Sequence, residues 1–110
     1  MLIFPVISQV GPLPIKSASF QAPVDGPVVF VVTGSAYSGT ANVPITFTAL
    51  LDNNVIGTAQ VFSNGPQTHR VMSPLFIGVN LSEGTHTCSL VAAAGVATDY
   101  NDQFTVQILY

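Results

Sequence analysis

Side chains that could do chemistry are scarce in this chain, and several of them gather near its C-terminal end. Asp99 and Asp102 are two of only five acidic residues among 110, and they enclose Tyr100 and Asn101 in the segment TDYNDQ. Oxygen-bearing side chains on a short loop can close a turn, contact a ligand such as a saccharide, or bind calcium. The segment lacks the Asp-x-Asp-x-Asp spacing and the glycine of a typical calcium loop. A structural turn on a solvated end loop is therefore favoured, and the other two roles stay open.

The two histidines and the single cysteine complete the reactive groups. His69 and Arg70 lie beside a Gly-Pro turn, which predicts a solvated loop edge where Arg70 could recognise an anionic group. His86 lies on the same face of its predicted strand as Cys88, which predicts a structural imidazole on a packed face or at its rim. A zinc site there would need two further ligands that the sequence does not supply. Cys88 lies in an apolar strand pattern, which predicts a buried, unreactive thiol, and one cysteine excludes an internal disulfide.

Catalysis requires a nucleophile, a base and an orienting group within reach of one another. The chain has many serines and threonines but no G-x-S-x-G motif. We therefore predict no catalytic residue and assign no cofactor or metal. The candidate ligand-binding residues are Asp99, Tyr100, Asn101, Asp102, His69 and Arg70.

The composition excludes several classes of partner. Charged residues make up 6% of the chain, against about 25% in an ordinary soluble domain. Lys16 and Arg70 are the only cationic side chains and the net charge is −3, which predicts no binding to nucleic acid or to anionic membranes. Apolar runs fall short of the roughly 18 residues of a spanning helix, so no membrane insertion is expected. The segment MLIFPVISQV lacks the basic region and cleavage site of a signal peptide. We therefore assign no compartment, and an extracellular or virion-associated role stays open.

Short runs rich in Val, Ile, Thr, Phe and Tyr alternate with Gly, Pro, Asn and Asp, which is typical of an all-β fold. The length fits one domain, residues 1–110, with a single core. We predict an antiparallel β-sandwich of the jelly-roll type with about eight to ten strands. The strands are expected near residues 2–9, 15–21, 28–37, 44–51, 55–62, 69–79, 85–93 and 103–109.

One hairpin can be predicted in detail, because the segment ITFTALLDNNVIGTAQVF must turn near Asp52. A three-residue loop, Asp52–Asn54, places apolar residues opposite one another on a single face. A two-residue loop at Asn53–Asn54 mixes the faces, and register follows the hydrophobic pattern. We therefore expect the three-residue loop, with Asn54 in the left-handed conformation. The expected pairs are Leu51 with Val55, Ala49 with Gly57, Phe47 with Ala59, and Ile45 with Val61.

Two segments, residues 27–34 and 88–97, are apolar on both faces. An antiparallel sandwich strand normally has one wet face, so a symmetric neighbour is expected to cover the second. Apolar and other residues alternate strictly along the last strand, which we expect to be central in its sheet. This alternation places Phe104, Val106 and Ile108 in the core of the sandwich. Its other face, Thr105, Gln107 and Leu109, is expected to point toward a neighbouring subunit.

Three short motifs carry a resemblance to a family. FTVQILY at Phe104–Tyr110 resembles the terminal strand of the complement C1q and tumour necrosis factor jelly rolls. DGPVVFVVTG resembles their G-x-Y-x-F strand, with Val29 where an aromatic is usual, and LSEGTHTCSLVAA resembles their L-x-x-G-D-x-V-x-L segment, with Thr85 in place of Asp. The resemblance covers roughly residues 26–110. It implies a ten-stranded jelly roll, a homotrimer with apolar strands along the threefold axis, and binding rather than catalysis.

The function predicted from the sequence is a non-catalytic, oligomeric binding module that recognises a carbohydrate or a protein surface through its end loops. Polar, uncharged loops with an aromatic residue suit neutral sugars. The alternative is a structural protein whose function is self-assembly, such as a virion or fibre component. A small hydrolase is disfavoured because no catalytic constellation is present.

Overall fold

The computed structural model describes residues 2–110, and this part of the chain forms ten β-strands. Their bounds are β1 Ile3–Val10, β2 Ile15–Ala22, β3 Gly26–Thr33, β4 Ser35–Ala36, β5 Val43–Leu51, β6 Asn54–Ser63, β7 Arg70–Val71, β8 Leu75–Leu81, β9 Gly84–Ala92 and β10 Gln103–Leu109. Among these described residues, no helix has the length and hydropathy needed to cross a membrane.

The eight longer strands form two antiparallel sheets of four. One sheet has the order β1-β10-β3-β8, and the other has the order β2-β9-β5-β6. The short strands β4 and β7 pair separately at one end. Strands distant in sequence lie side by side, as in a jelly roll, and the predicted antiparallel β-sandwich is confirmed.

Two predicted strands are each divided in two. The segment 28–37 is interrupted at Gly34, where a Cβ atom would overlap the ring of Phe104 and lie 2.9 Å from the ring of Phe47. The backbone therefore passes directly over core aromatics and leaves the first sheet, after which β4 pairs with β7. The segment 69–79 is interrupted before Leu75 by Pro74, which has no backbone N–H to donate to a ladder.

The core lies between the two sheets and confirms the prediction for the last strand. β10 is central, between β1 and β3. Phe104, Val106 and Ile108 are each 0% exposed. The Phe104 ring packs edge-on against Phe47, with ring centroids 5.6 Å apart. The alternate side chains of β10 point to the outer face of the sheet, as the alternation predicts.

Acidic charge is confined to the turns and loops between the strands. All five acidic residues lie in turns or loops between strands: Asp25, Asp52, Glu83, Asp99 and Asp102. Strand side chains face either the core or a sheet surface that is otherwise uncharged apart from Lys16 on β2, Arg70 on β7 and the imidazole of His86 on β9. The loops at the two ends are therefore where polar recognition chemistry is available.

The β5–β6 hairpin follows the predicted register over most of its length but turns differently. Ile45 pairs with Val61, Phe47 with Ala59, and Ala49 with Gly57, as expected. The pairing then shifts at a bulge, and Leu51 lies opposite Asn54 instead of Val55.

The expectation of a left-handed Asn54 is therefore wrong. The positive φ angles are 50° at Asp52 and 66° at Asn53. The bulge absorbs the odd residue, which leaves a two-residue loop. The favoured two-residue hairpin turn of this kind has φ above zero at both central positions.

Asn53→Gly should leave the free energy of unfolding unchanged or raise it slightly, because Gly adopts a positive φ without a steric penalty. Asn53→Val should lower it by about 1 kcal/mol, because a β-branched residue is strained there. Gln60→Val is the matched control, because Gln60 is an exposed residue of β6 in ordinary strand conformation. Urea denaturation of the three variants provides the measurement, and an equal loss for both Val variants would contradict the two-residue turn.

Candidate functional site

The predicted site residues meet at one end of the sandwich. This end is built from the exit of β1, the β3–β4 junction, the start of β7 and the loop between β9 and β10. A bridge between Tyr37 and Ala97 holds the loop against the β4 segment, with N···O distances of 2.9 and 2.7 Å. His69 and Asp102, which are 33 positions apart, are brought into direct contact.

The carboxylate of Asp102 is the centre of this end. Its Oδ1 accepts a hydrogen bond from the Ser35 hydroxyl at 2.6 Å and lies 2.7 Å from Nδ1 of His69. Its Oδ2 accepts the backbone N–H of Asp99 at 2.9 Å. The backbone carbonyl of Asp102 also accepts the N–H of Gly11 at 2.7 Å. One residue therefore joins four segments of the chain.

The sequence predicts that Asp99 and Asp102 both lie on a solvated loop surface. For Asp102 this prediction is wrong. Its exposed fraction is 0%. A buried carboxylate requires hydrogen-bond donors, and here a hydroxyl, an imidazole and a backbone N–H face it. Asp99 is the partner that does remain accessible, with 39% of its side chain exposed.

The accessible groups form a rim around this buried carboxylate. Asp99 accepts the backbone N–H of Asn101 at 2.8 Å, which is the turn-closing bond expected of an Asx residue. Tyr100 is 77% exposed, and Asn101 is also exposed. The ring of His69 packs against Tyr37 with centroids 4.4 Å apart. This surface, hereafter the end-loop rim, comprises Tyr37, His69, Arg70, Asp99, Tyr100 and Asn101.

Tyr37 is the rim residue that sequence reasoning missed. It lies in an apolar stretch that predicts a continuing strand. The available signal was Gly34, since a strand broken there releases the following residues toward the end of the sandwich. A cleft of about 290 Å³ lies at the same end and is lined by Ser38, Thr40, Val43, Pro44, Gly95 and Val96 together with Ala94.

A serine, a histidine and an aspartate meet here, but not in the arrangement of a hydrolase. In a catalytic triad the serine hydroxyl contacts the histidine, and the aspartate orients that histidine from the other side. Ser35 instead donates to the same oxygen of Asp102 that faces His69. Its hydroxyl is therefore a structural donor to the carboxylate.

His69, Asp99 and Asp102 are also the group within the described residues whose ligand atoms could surround a metal, since they lie within 4.8 Å of one another. Both oxygens of Asp102 already accept hydrogen bonds, and Nδ1 of His69 is already engaged with Oδ1 of Asp102. This leaves Nε2 of His69 and the Asp99 carboxylate, which are 3.6 Å apart. Two protein ligands are fewer than the three or four of typical zinc sites.

A second polar cluster, at the β5–β6 turn, surrounds His86. Its Nδ1 lies 2.6 Å from Oδ2 of Asp52, and its Nε2 lies 2.7 Å from the carbonyl of Ser82. Both ring nitrogens face acceptors, and both can donate only when the ring is an imidazolium. The hydrogen bonds to Asp52 and Ser82 raise the pKa of His86, although its burial acts in the opposite direction. Burial raises the pKa of Asp52, but hydrogen bonds from His86 and Thr87 outweigh it and the net shift is downward.

The structural role predicted for His86 agrees with these contacts, and its ring also stacks on Phe20 with centroids 5.7 Å apart. Cys88 is 0% exposed, as predicted. Burial raises the pKa of its thiol to about 11, which keeps it protonated and unreactive at neutral pH.

Comparison with known proteins identifies solved structures that share this fold. No family model matches the chain, and no curated protein matches it. Among solved structures, a family 35 carbohydrate-binding module from Clostridium thermocellum is similar over 97% of this chain and 95% of its own, with a TM-score of 0.57 and 13% sequence identity. At this identity the likeness shows a shared fold.

A second similar structure is a cycloisomaltooligosaccharide glucanotransferase from Paenibacillus sp., complexed with cycloisomaltoheptaose. The similarity covers 84% of this chain and 12% of that enzyme, with a TM-score of 0.46 and 20% identity. The resemblance to the C1q and tumour necrosis factor jelly rolls has no support from a family model. The fold is jelly-roll-like and is shared with a carbohydrate-binding module.

Asp102→Ala should lower the free energy of unfolding by about 1–3 kcal/mol for each buried donor left without an acceptor, of which Ser35 and the N–H of Asp99 are two. Asp99→Ala, on the accessible side of the same loop, should change it by less than about 0.5 kcal/mol. Chemical denaturation monitored by circular dichroism tests the pair. Equal losses for the two variants would contradict the central role of Asp102.

The contact between His86 and Asp52 should make the free energy of unfolding depend on pH. A raised histidine pKa contributes stability that is present below its ordinary value of 6.5 and is lost as the pH rises through the raised value. A lowered aspartate pKa contributes stability above 3.8 that is lost as the pH falls through the lowered value. The pair should therefore stabilise most in the interval between those two ordinary values.

Urea unfolding at about pH 5.5 and about pH 9 should show a larger loss of stability for the wild type than for Asp52→Asn. Asp25→Asn is the matched control, because its carboxylate also accepts a backbone N–H, from Glu83, without a histidine partner. The control should keep the wild-type pH dependence, and an unchanged pH dependence in Asp52→Asn would exclude the pair as its source.

Proposed function

We propose that this chain is a single-domain, non-catalytic module that binds a neutral saccharide through the end-loop rim. The observation that carries the proposal is an exposed aromatic ring, Tyr100, beside the carboxylate of Asp99 and the carboxamide of Asn101, on a loop held by the buried Asp102. A sugar ring offers one apolar face and a belt of hydroxyls, so an aromatic platform flanked by acceptors and donors complements it.

The rigidity of the loop supports the same proposal. A binding site whose loop is already ordered does not lose that conformational entropy when the ligand binds. The hydrogen bonds to Asp102 and the Tyr37–Ala97 bridge order this loop without a ligand. His69 and Arg70 would extend the donor set at its edge. The shared fold with a carbohydrate-binding module is compatible with this role, although fold alone does not specify function.

A glycan-array screen of the purified protein, followed by calorimetry on the strongest neutral glycan, tests the proposal. Tyr100→Ala should weaken binding at least tenfold, and Asp99→Asn should weaken it by a smaller factor, while both variants remain folded. Val55→Ala is the matched control, because Val55 is 65% exposed at the β5–β6 turn, at the opposite end of β5. No binding to any glycan, or equal loss in the control, would contradict the proposal.

A structural self-assembling protein is the second candidate function. It is favoured by the two sheet faces, which carry almost no charge and therefore have little electrostatic barrier to contact with other copies. A homo-oligomer belongs to this proposal and to the binding-module proposal alike. The C1q resemblance favours a trimer, whereas pairing of two edge strands about a twofold axis would give a dimer, and sedimentation distinguishes the two. Leu109→Asp should then dissociate the assembly without unfolding the subunit, as measured by sedimentation, and a wild-type protein that sediments at 11.5 kDa at all concentrations would exclude it.

A further inference from the structure

β8 is an open edge of the first sheet. It pairs with β3 on one side and is the last strand of that sheet. Its inward-facing Ile77 and Val79 stay partly exposed. Their cross-strand partners Phe30 and Val28 are 0% and 4% exposed. The apolar core therefore reaches the solvent along this strand.

The other edges of the two sheets carry features that discourage pairing. β1 contains Pro5 and an irregularity next to it, and β2 contains Lys16 and an irregularity between Ile15 and Ala18. β6 carries the bulge next to its turn. Prolines, lysines and bulges are the devices that keep edge strands from joining those of other molecules. β8 has none of them: its seven residues, LFIGVNL, are uncharged and pair with β3 in unbroken register.

A protruding ring and an apolar groove lie side by side on the outer face of this edge. Phe76 is 66% exposed. Two residues further along, Gly78 leaves the same face open, and a Cβ atom there would have no neighbour within 4 Å. The groove has a volume of about 530 Å³ and is lined by Pro27, Val29, Gly78, Asn80, Leu109 and Tyr110, together with Val28 and Val79.

We propose that β8 pairs antiparallel with β8 of a second copy of this chain, about a twofold axis that passes through Gly78. Gly78 is the middle residue of the strand, so this register pairs all seven residues. It places Phe76 opposite Asn80 of the second copy and diagonal to its Gly78. Diagonal neighbours on paired strands are about 7–8 Å apart, which an aromatic ring spans, so each Phe76 covers the groove of the other copy.

The inward-facing residues fit the same register. Ile77 of one copy lies opposite Val79 of the other, which covers the two partly exposed core residues. The twofold axis satisfies both copies with one contact, as an isologous interface requires. The pairing joins the two four-stranded sheets edge to edge and leaves the end-loop rim outside the contact.

The absence of charge on β8 favours a second copy of this chain as its partner, and the small contact area predicts that the affinity is modest. No side chain of β8 or of the groove carries a charge, so identical surfaces meet without repulsion. One paired strand and two rings bury less than the roughly 800 Å² per partner typical of stable complexes. The dimer should therefore form and dissociate over an accessible concentration range.

Cysteine cross-linking tests the register. In Gly78→Cys, the two introduced residues face each other with Cα atoms about 4.5–5.5 Å apart, within the range that a disulfide bridges. In the matched variant Asn80→Cys, which keeps Phe76, the two cysteines are four residues out of register, about 13 Å apart. The native Cys88 is buried and does not compete. Mild oxidation should yield a covalent dimer of Gly78→Cys and little of Asn80→Cys. Equal yields, or no dimer from Gly78→Cys, would overturn the register.

Sedimentation over a dilution series tests the interface itself. The wild type should pass from dimer to monomer, and Phe76→Asp should weaken the dimer at least tenfold. Phe62→Asp is the matched control, because Phe62 is also an exposed phenylalanine, 55% exposed, on an edge strand of the other sheet. Loss of the dimer in Phe62→Asp but not in Phe76→Asp would move the contact to β6. A monomeric wild type, or a species larger than a dimer that Phe76→Asp leaves intact, would also overturn the proposal.

Discussion

The buried carboxylate of Asp102 is the interaction on which the end of the sandwich that carries the end-loop rim depends. It collects donors from Ser35, His69 and Asp99, which belong to three separate segments, and its own carbonyl accepts the N–H of Gly11. A buried donor that loses its acceptor costs free energy. The segments are therefore held in one arrangement around Asp102. Although Asp102 itself is buried, its hydrogen bonds fix the positions of the exposed groups of the end-loop rim.

The scarcity of charge shapes the remainder of the surface. Acidic residues occur in the turns and loops, where Asp25 receives the N–H of Glu83 and Asp52 receives that of Thr87. Each of these carboxylates links its loop to a distant segment of the chain and stays exposed to solvent. The sheet faces consequently carry little that opposes contact with another molecule. An open edge such as β8 then matters more than it would in a highly charged domain, because neither repulsion nor a bulge protects it.

The fold and the site carry different kinds of information about function. A jelly-roll sandwich shared with a carbohydrate-binding module at 13% identity describes the scaffold. Function depends on the groups that the scaffold presents. Here those groups are an exposed tyrosine, a carboxylate and a carboxamide on an ordered loop, without a nucleophile–base contact among them. The proposed saccharide site rests on these groups, and not on the fold.

The sequence by itself determined which residues face the core. The strict alternation in β10 predicts the burial of Phe104, Val106 and Ile108, because side chains on a strand repeat every two residues and one face must be dry. The same reasoning predicts the register of β5 with β6 up to Ala49. Confinement of the acidic residues to the loops is also expected, since a sandwich offers few other places for a solvated carboxylate.

The tertiary structure alone decided the position of the turn and the role of Asp102. The bulge that moves the left-handed residues to Asp52 and Asn53 lies on β6, while the pairing of β5 with β9 continues to Leu51 without a break. The local sequence pattern does not show this bulge. Burial of Asp102 depends on Ser35 and His69, which lie 67 and 33 positions away in the chain. A carboxylate in a loop is ordinarily most stable in water, and it is stable in the interior only where such distant donors converge. Because that convergence is a property of strand order in space, a local sequence pattern predicts a solvated aspartate where the folded chain has a buried one.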